Sequence, residues 1–423
     1  MPLDNKAILI RADAGTRIGT GHIMRCLALA QAWRRFGGEA TFVMATESPV
    51  LERRLRDSSM DIRHINVALG SQEDVQQTLS LAKKIGAYWL VVDGYHFDAT
   101  YQQAIKGAGY RLLFIDDYGH ADHYYADIVL NQNISADDSL YTNREPYTRL
   151  LLGTKYILLR EEFLAWKDWQ REVPEVARKI LVTLGGGDPD NVTLKVINAV
   201  NKLEMEGLEI KVVIGPANPH IASLKEVIDL SPFTFHLLSS IKNMPELMAW
   251  ADMAVSAGGS TCWELAFIGV PAIIVVLAEN QRRIAENLDQ AGAAVNMGFY
   301  DAVEPAKIAE ALKRLLFKGD KRAVMSNRAR KLVDGKGKGR IVEILSSTVI
   351  LLRKARDTDS EMVWEWANDS VAREVSFHCD PIPRESHEGW FLSKLKDPDC
   401  VFFCCGKSVR QTSRADSLRH RRR

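Results

Sequence analysis

The sequence predicts an α/β fold of two doubly wound, Rossmann-like domains, and three observations carry that reading. Short runs rich in Val, Ile and Leu alternate with stretches of helical period, the pattern of parallel sheets buried on both faces. The alternation pauses after residue 155 and restarts at Lys179. A length of 423 residues suits two or three domains at about 100–200 residues each.

In the first domain, residues 1–155, Ala7 to Ala12 reads as a strand, 13–20 as a loop and 21–36 as a helix. The helix is assigned because Ile23, Leu27, Ala30 and Trp33 fall on one face. Further strands are expected at 39–44, 62–67, 88–92, 111–115 and 127–130. Several end in polar residues: Asp93, Asp116 with Asp117, and Asn131. In an open parallel sheet such carboxyl ends line the ligand crevice. Residues 160–178 read as a charged helix leading into the second domain, 175–335. Its strands are expected at 179–184, 210–214, 234–238, 253–256 and 272–276, and a basic helical stretch over 318–340 should close it. The two domains should face each other across a cleft.

Composition narrows the class. A 46% hydrophobic, 26% charged chain is neither disordered, collagen-like nor a disulfide scaffold. The net charge of +1 conceals a split, because residues 406–423 hold seven basic residues and one acidic, leaving the body at −5. A balanced body argues against nucleic acid or an acidic membrane as partner, and the tail reads as a disordered basic end. No apolar run reaches the length of a membrane span, and no secretory h-region opens the chain, so a cytoplasmic location is expected. The six cysteines form no CxxC pair, so neither a zinc site nor a redox motif is signalled.

The loop from Arg11 to His22 places Gly19 and Gly21 at a strand-to-helix turn, where backbone approaches a ligand and the helix N-terminus favours negative charge. It is neither a Walker A loop nor a complete dinucleotide fingerprint. His22, in the first helical turn, offers the neutral ring nitrogen that general-base activation of water needs. A capping or core histidine is an equally weighted reading. In the second domain, Leu184 to Asn191 is a glycine loop with Asp190 or Asn191 as candidate helix cap. Residues 251–264 form a second one, in which Gly258 and Gly259 turn the chain and Ser260 and Thr261 open a helix. That arrangement offers N–H groups and hydroxyls to a diphosphate. Glu264, one turn on, could accept from a ribose diol, and Asn280 with Gln281 supply amides at the next strand end. Asp13, Asp93, Asp116 and Asp117 could hold a metal or orient His22, but no metal-ligand spacing accompanies them, so a metal-free site without cofactor is expected. His64, His120, His123 and His236 read as surface or core residues.

The segments RADAGTRIGTGHIMRCLALA, VVDGYHFD, FIDDYG, LNQN, LLREEF, VTLGGGDPDN and VSAGGSTCWELAFIGVPAIIVVLAENQ together resemble the pseudaminic-acid pathway UDP-2,4-diacetamido-2,4,6-trideoxy-β-L-altropyranose hydrolases. The resemblance covers about residues 5–335. These enzymes resemble the peptidoglycan glycosyltransferase MurG, which implies two Rossmann-like domains in a GT-B arrangement. The resemblance implies an inverting hydrolase of a UDP-sugar with His22 as base. It further implies Ser260 and Thr261 at the diphosphate, Glu264 at the ribose, Gln281 at the cleft, and Asp13 and Tyr95 at motif positions. A MurG-like glycosyltransferase is the alternative. Residues 350–405 are similar to the opening of GNAT acetyltransferases, but lack the glycine loop for the acetyl-CoA pyrophosphate, so an incomplete, inactive segment is expected.

Overall fold

The computed structural model describes all residues except 1–2, 4, 16–17, 216–217, 240, 242, 348–349, 375–379 and 408–423. The chain forms two compact units, Met1–Ser346 and Ser347–Arg423.

The first half of the large unit runs β1 (Ala7–Ala12), α1 (Gly21–Arg35), β2 (Glu39–Met44), α2 (Pro49–Asp57), β3 (Asp61–His64), α3 (Gln72–Ile85), β4 (Trp89–Asp93), α4 (Ala99–Gly107), β5 (Leu112–Ile115), β6 (Ile128–Asn131) and β7 (Arg149–Leu152). The strands make one parallel sheet in the order β3-β2-β1-β4-β5-β6-β7. Every residue of β1, β4, β5 and β6 is buried, which explains why they read as continuous apolar runs. The order reverses between β1 and β4, so the loops after these two strands open the crevice where ligands bind in such sheets.

A linker with one helical turn, α5 (Glu161–Leu164), leads to β8 (Lys179–Thr183), α6 (Val192–Val200), β9 (Glu209–Ile214), α7 (Ile221–Asp229), β10 (Thr234–Ser239), α8 (Met244–Trp250), β11 (Met253–Ala257), α9 (Thr261–Ile268), β12 (Ala272–Val276), α10 (Glu279–Gln290), β13 (Ala294–Phe299), α11 (Pro305–Leu316), α12 (Gly319–Leu332) and α13 (Gly337–Ser346). The second sheet is β10-β9-β8-β11-β12-β13, also parallel, with its switch between β8 and β11. The two sheets repeat one topology, and each opens its crevice with a glycine loop.

Three features depart from expectation. The charged stretch 160–178 is helical only over α5; beyond it, backbone carbonyls are taken by arginines of α12 instead of by i+4 amides. Arg330 donates to Trp169 and Lys167, and buried Arg322 to Pro174 and Glu175. The basic stretch near the end of the second domain splits into α12 and α13, and α13 crosses back. Its Ile341, Val342 and Leu345 join the core under α1, and Trp89 Nε1 donates to the Leu345 carbonyl at 3.0 Å. Strands β7 and β13 had no sequence signal: β7 is four residues long, and β13 is broken by Asn296 and by Gly298 at φ +85°.

The small unit contains β14 (Ile350–Lys354), α14 (Ser360–Ala367), α15 (Ser370–Glu374), α16 (Arg384–Lys396) and β15 (Phe403–Lys407), with β14 and β15 antiparallel. Phe391 is fully buried there against His387 and Phe402. The expected basic tail lies, from residue 408 onward, outside the described residues.

Candidate active site

His22 is the second residue of α1 and is 6% exposed. Its Nδ1 lies 2.6 Å from Oδ1 of Asp93, the last residue of β4. The strand order makes this pairing possible, because β1 and β4 are hydrogen-bonded neighbours and their ends meet at the switch point. Asp93 is fully buried. Burial alone would push its pKa up, but the Arg25 guanidinium and then His22 outweigh that and hold it well below the usual carboxylate range. Arg25 reaches Asp93 twice, Nε to Oδ2 at 2.6 Å and Nη2 to Oδ1 at 2.7 Å. Arg25 Nη2 also lies 3.2 Å from Nδ1; since an ionised Asp93 can only accept, the neutral tautomer that satisfies it carries its proton on Nδ1 and leaves the lone pair on Nε2.

A second acid extends the network. Arg25 Nη1 donates to Asp117 Oδ1 at 2.7 Å, and Asn133 Nδ2 donates to the same oxygen at 2.8 Å. Asp117 Oδ2 accepts from Tyr95 Oη at 2.6 Å. The Tyr95 ring stands edge-on to His22, with centroids 4.9 Å apart. Burial, then the neighbouring Asp117 charge, push the Tyr95 phenol well above its usual range, so it remains a neutral donor.

The opposite wall comes from the second domain. α9 opens at Thr261 with Ser260 before it, and a Cβ added to Gly21 would lie 3.3 Å from Ser260 Oγ. The starts of α1 and α9 therefore meet. A Cβ at Gly186 would lie 3.4 Å from Thr20 Cγ2, which brings the loop after β8 to the same place. Asn280, at the start of α10, donates from Nδ2 to Tyr95 Oη at 2.8 Å. Helix N-termini carry unsatisfied N–H groups and a partial positive charge, so the starts of α1, α9 and α10 direct toward one place the kind of field that suits an anion.

Other expected residues take supporting places. Asp13 does not face the cleft: its side chain is fully buried, Oδ1 accepts from the amides of Ala45 and Thr46, and Oδ2 pairs with Arg11. Burial raises its pKa, but the nearby His96 ring, 3.7 Å away, and the Arg11 charge bring it down to about 2. Gln281 Oε1 accepts from the amides of Gly258 and Leu277, bracing the second glycine loop. A Cβ at Gly258 would be tight against Gln281, 3.0 Å from its Cβ and carbonyl oxygen; no Cβ contact restricts Gly259, and Gly19 adopts φ +78° in a turn bridged to Gly15. Glu264 Oε1 accepts from Arg160 Nε and Nη2 at 3.2 and 2.7 Å. Asn191 is the N-cap residue of α6, but its side chain makes no capping bond; Asp188 accepts from the amides of Val192 and Thr193 instead. Asp116 binds its own loop and Tyr124 and does not reach His22. Arg25 was not anticipated as a site residue, although its position one turn after His22 was the available signal. No group of three or more potential metal ligands occurs among the described residues, and none of their helices is long and apolar enough to cross a membrane.

The profile of the Glycosyltransferase family 28 C-terminal domain matches residues 180–339. An uncharacterized protein of Methanocaldococcus jannaschii is 24% identical over 412 residues, 93% of this chain and 79% of that one. The UDP-2,4-diacetamido-2,4,6-trideoxy-β-L-altropyranose hydrolase of Campylobacter jejuni is 24% identical over 290 residues, 68% of this chain and 98% of that one. The crystal structure of Acinetobacter baumannii MurG superposes with a TM-score of 0.57 at 17% identity, covering 80% of this chain and 99% of that one. The large unit thus has the two parallel-sheet α/β domains typical of the GT-B fold.

Proposed function

We propose that the chain hydrolyses a UDP-sugar, UDP-2,4-diacetamido-2,4,6-trideoxy-β-L-altropyranose, to UDP and the free sugar with inversion at the anomeric carbon, in pseudaminic acid biosynthesis. The observation that carries this reading is the 2.6 Å pair between His22 Nδ1 and Asp93, set opposite the start of α9. His22 Nε2 takes a proton from water, and the water oxygen bonds to the anomeric carbon. The bond from that carbon to the diphosphate oxygen breaks, and UDP leaves with the electron pair. Amides of α9, with the hydroxyls of Ser260 and Thr261, hold the diphosphate charge as it grows. Glu264, steadied through Oε1 by Arg160, offers Oε2 to the ribose diol.

The test is incubation of the full chain with the UDP-sugar and no acceptor. Accumulation of UDP at enzymic rates is expected, and oxygen-18 from solvent should enter the sugar C1 hydroxyl. Absence of UDP release removes the hydrolase reading. A glycosyltransferase with the same donor cleft is the second reading, favoured by the family 28 match over 180–339; turnover that depends on an added acceptor alcohol identifies it. For residues 350–405 we retain the acetyltransferase-like reading and expect no acetyl-CoA binding in titrations of the full chain.

A further inference from the structure

Tyr118 lies two rings from the proposed base and is left partly in water. It is 40% exposed, whereas the two acids that precede it in the chain, Asp116 and Asp117, are held by hydrogen bonds. Its ring centroid is 5.2 Å from that of Tyr95 and 5.7 Å from that of His120. Tyr95 in turn packs its ring against His22. The loop that carries Tyr118 is rigid by construction. The fully buried Asp116 carboxylate accepts from the amides of Tyr118 and Gly119 at 2.9 and 3.0 Å, and also from Asp117 N and Tyr124 Oη. Gly119 adopts φ +78°, and a Cβ there would strike the Leu140 carbonyl at 2.7 Å.

An aromatic ring that is half in water at a crevice, on a loop that cannot fold away, is a surface prepared for an apolar partner. Tyr95 supplies no free polar handle beside it, because its hydroxyl already donates to Asp117 and accepts from Asn280. What the pair presents is ring surface. The C–H face of a pyranose is the part of a nucleotide sugar that matches such a surface, since its axial hydrogens are apolar and weakly positive while the ring face is negative.

We propose that Tyr118 is a sugar-recognition residue, its ring receiving the C–H face of the hexopyranose of a nucleotide sugar next to His22. This rests on the UDP-sugar reading and adds to it the residue that distinguishes a UDP-sugar from UDP. The test is titration of wild type, Tyr118→Ala and Tyr118→Phe with UDP and with UDP-2,4-diacetamido-2,4,6-trideoxy-β-L-altropyranose, beside the acceptor-free assay. Tyr118→Ala should weaken UDP-sugar binding about tenfold relative to UDP, with UDP affinity within about twofold, which also reports an intact fold. Tyr118→Phe should bind both as wild type does. An unchanged ratio in Tyr118→Ala overturns the proposal, as does an equal loss in Tyr118→Phe, which would assign the effect to the hydroxyl. A wild type that prefers UDP to the sugar conjugate also overturns it. Failure of the wild type to release UDP bears instead on the hydrolase reading.

Discussion

Asn280 of the second domain donates a 2.8 Å hydrogen bond to the Oη of Tyr95 in the first. The same hydroxyl donates to Asp117, which binds Arg25, which binds Asp93, which holds His22. One chain of hydrogen bonds therefore runs from the start of α10 to the proposed base. Tyr95→Phe removes one partner each from Asp117, which keeps Arg25 and Asn133, and from Asn280, two bonds of about 1 kcal/mol each or somewhat more for the one to the carboxylate. Asn280→Ala removes one neutral bond, worth about 1 kcal/mol. We expect kcat/KM to fall about fivefold in Asn280→Ala and further in Tyr95→Phe. Steady-state UDP release checks this; equal, wild-type rates in both variants would show the interdomain bond to be inert.

The His22–Asp93 pair predicts a second result. Asp93→Asn preserves shape but replaces an acceptor-only group with one that can also donate, so His22 loses the partner that fixes its tautomer. His22→Asn removes the base. Each should lower kcat by about 10³-fold or more while UDP affinity stays within a small factor. Single-turnover kinetics and UDP titration measure the two quantities separately. Loss of UDP binding in parallel with rate would assign the pair to structure.

The legible parts of this molecule were the local ones. His22, Gly21, Ser260 and Thr261 sit at strand-to-helix turns whose apolar runs and glycines mark them in sequence. The carboxylate that holds His22 comes from a strand end 71 residues away, and only the sheet order decides which ends meet. Asp13, Asp93, Asp116 and Asp117 read alike as strand-end acids. The structure separates them by neighbours: Arg11 draws Asp13 inward, Arg25 claims Asp93 and Asp117, and three successive amides enclose Asp116. The return of α13 to the first domain was hidden for the same reason, since Ile341, Val342 and Leu345 show an apolar face but not what covers it.

The contact between Gly21 and Ser260 can be tested by a double-mutant cycle. A methyl at Gly21 would sit 3.3 Å from Ser260 Oγ, tight enough that one side must give. Gly21 starts α1, where alanine is acceptable to the helix, so the fold should survive. Gly21→Ala should weaken UDP binding severalfold by holding α1 and α9 apart, and Ser260→Ala should weaken it by loss of the hydroxyl. The double variant should lose less than the sum, because removing Oγ relieves the clash. Strict additivity in the calorimetric titrations would mean that the two helix starts do not meet in solution.

Asp116 and His120 give a pH dependence with two limbs. Burial raises the Asp116 pKa, but the His120 imidazole, 3.3 Å away, brings it down to about 2 from 3.8. A carboxylate lowered by folding stabilises fully above its unfolded pKa and loses that contribution as pH falls through the folded one. The acid limb should therefore lie between about pH 4 and 2 and be worth about 2 kcal/mol. His120 shifts the other way: burial lowers its pKa, but the adjacent Asp116 carboxylate raises it above 6.5 overall. A base raised by folding stabilises fully below its unfolded pKa, and the contribution fades as pH climbs through the folded value. Urea unfolding of the full chain should thus show greatest stability between about pH 4 and 6.5, with a decline on either side. His120→Gln should flatten the alkaline decline and shrink the acid limb, because it removes the strongest influence that lowers Asp116. Asp116→Asn should flatten both limbs. An alkaline decline that persists unchanged in His120→Gln would place its origin elsewhere in the fold.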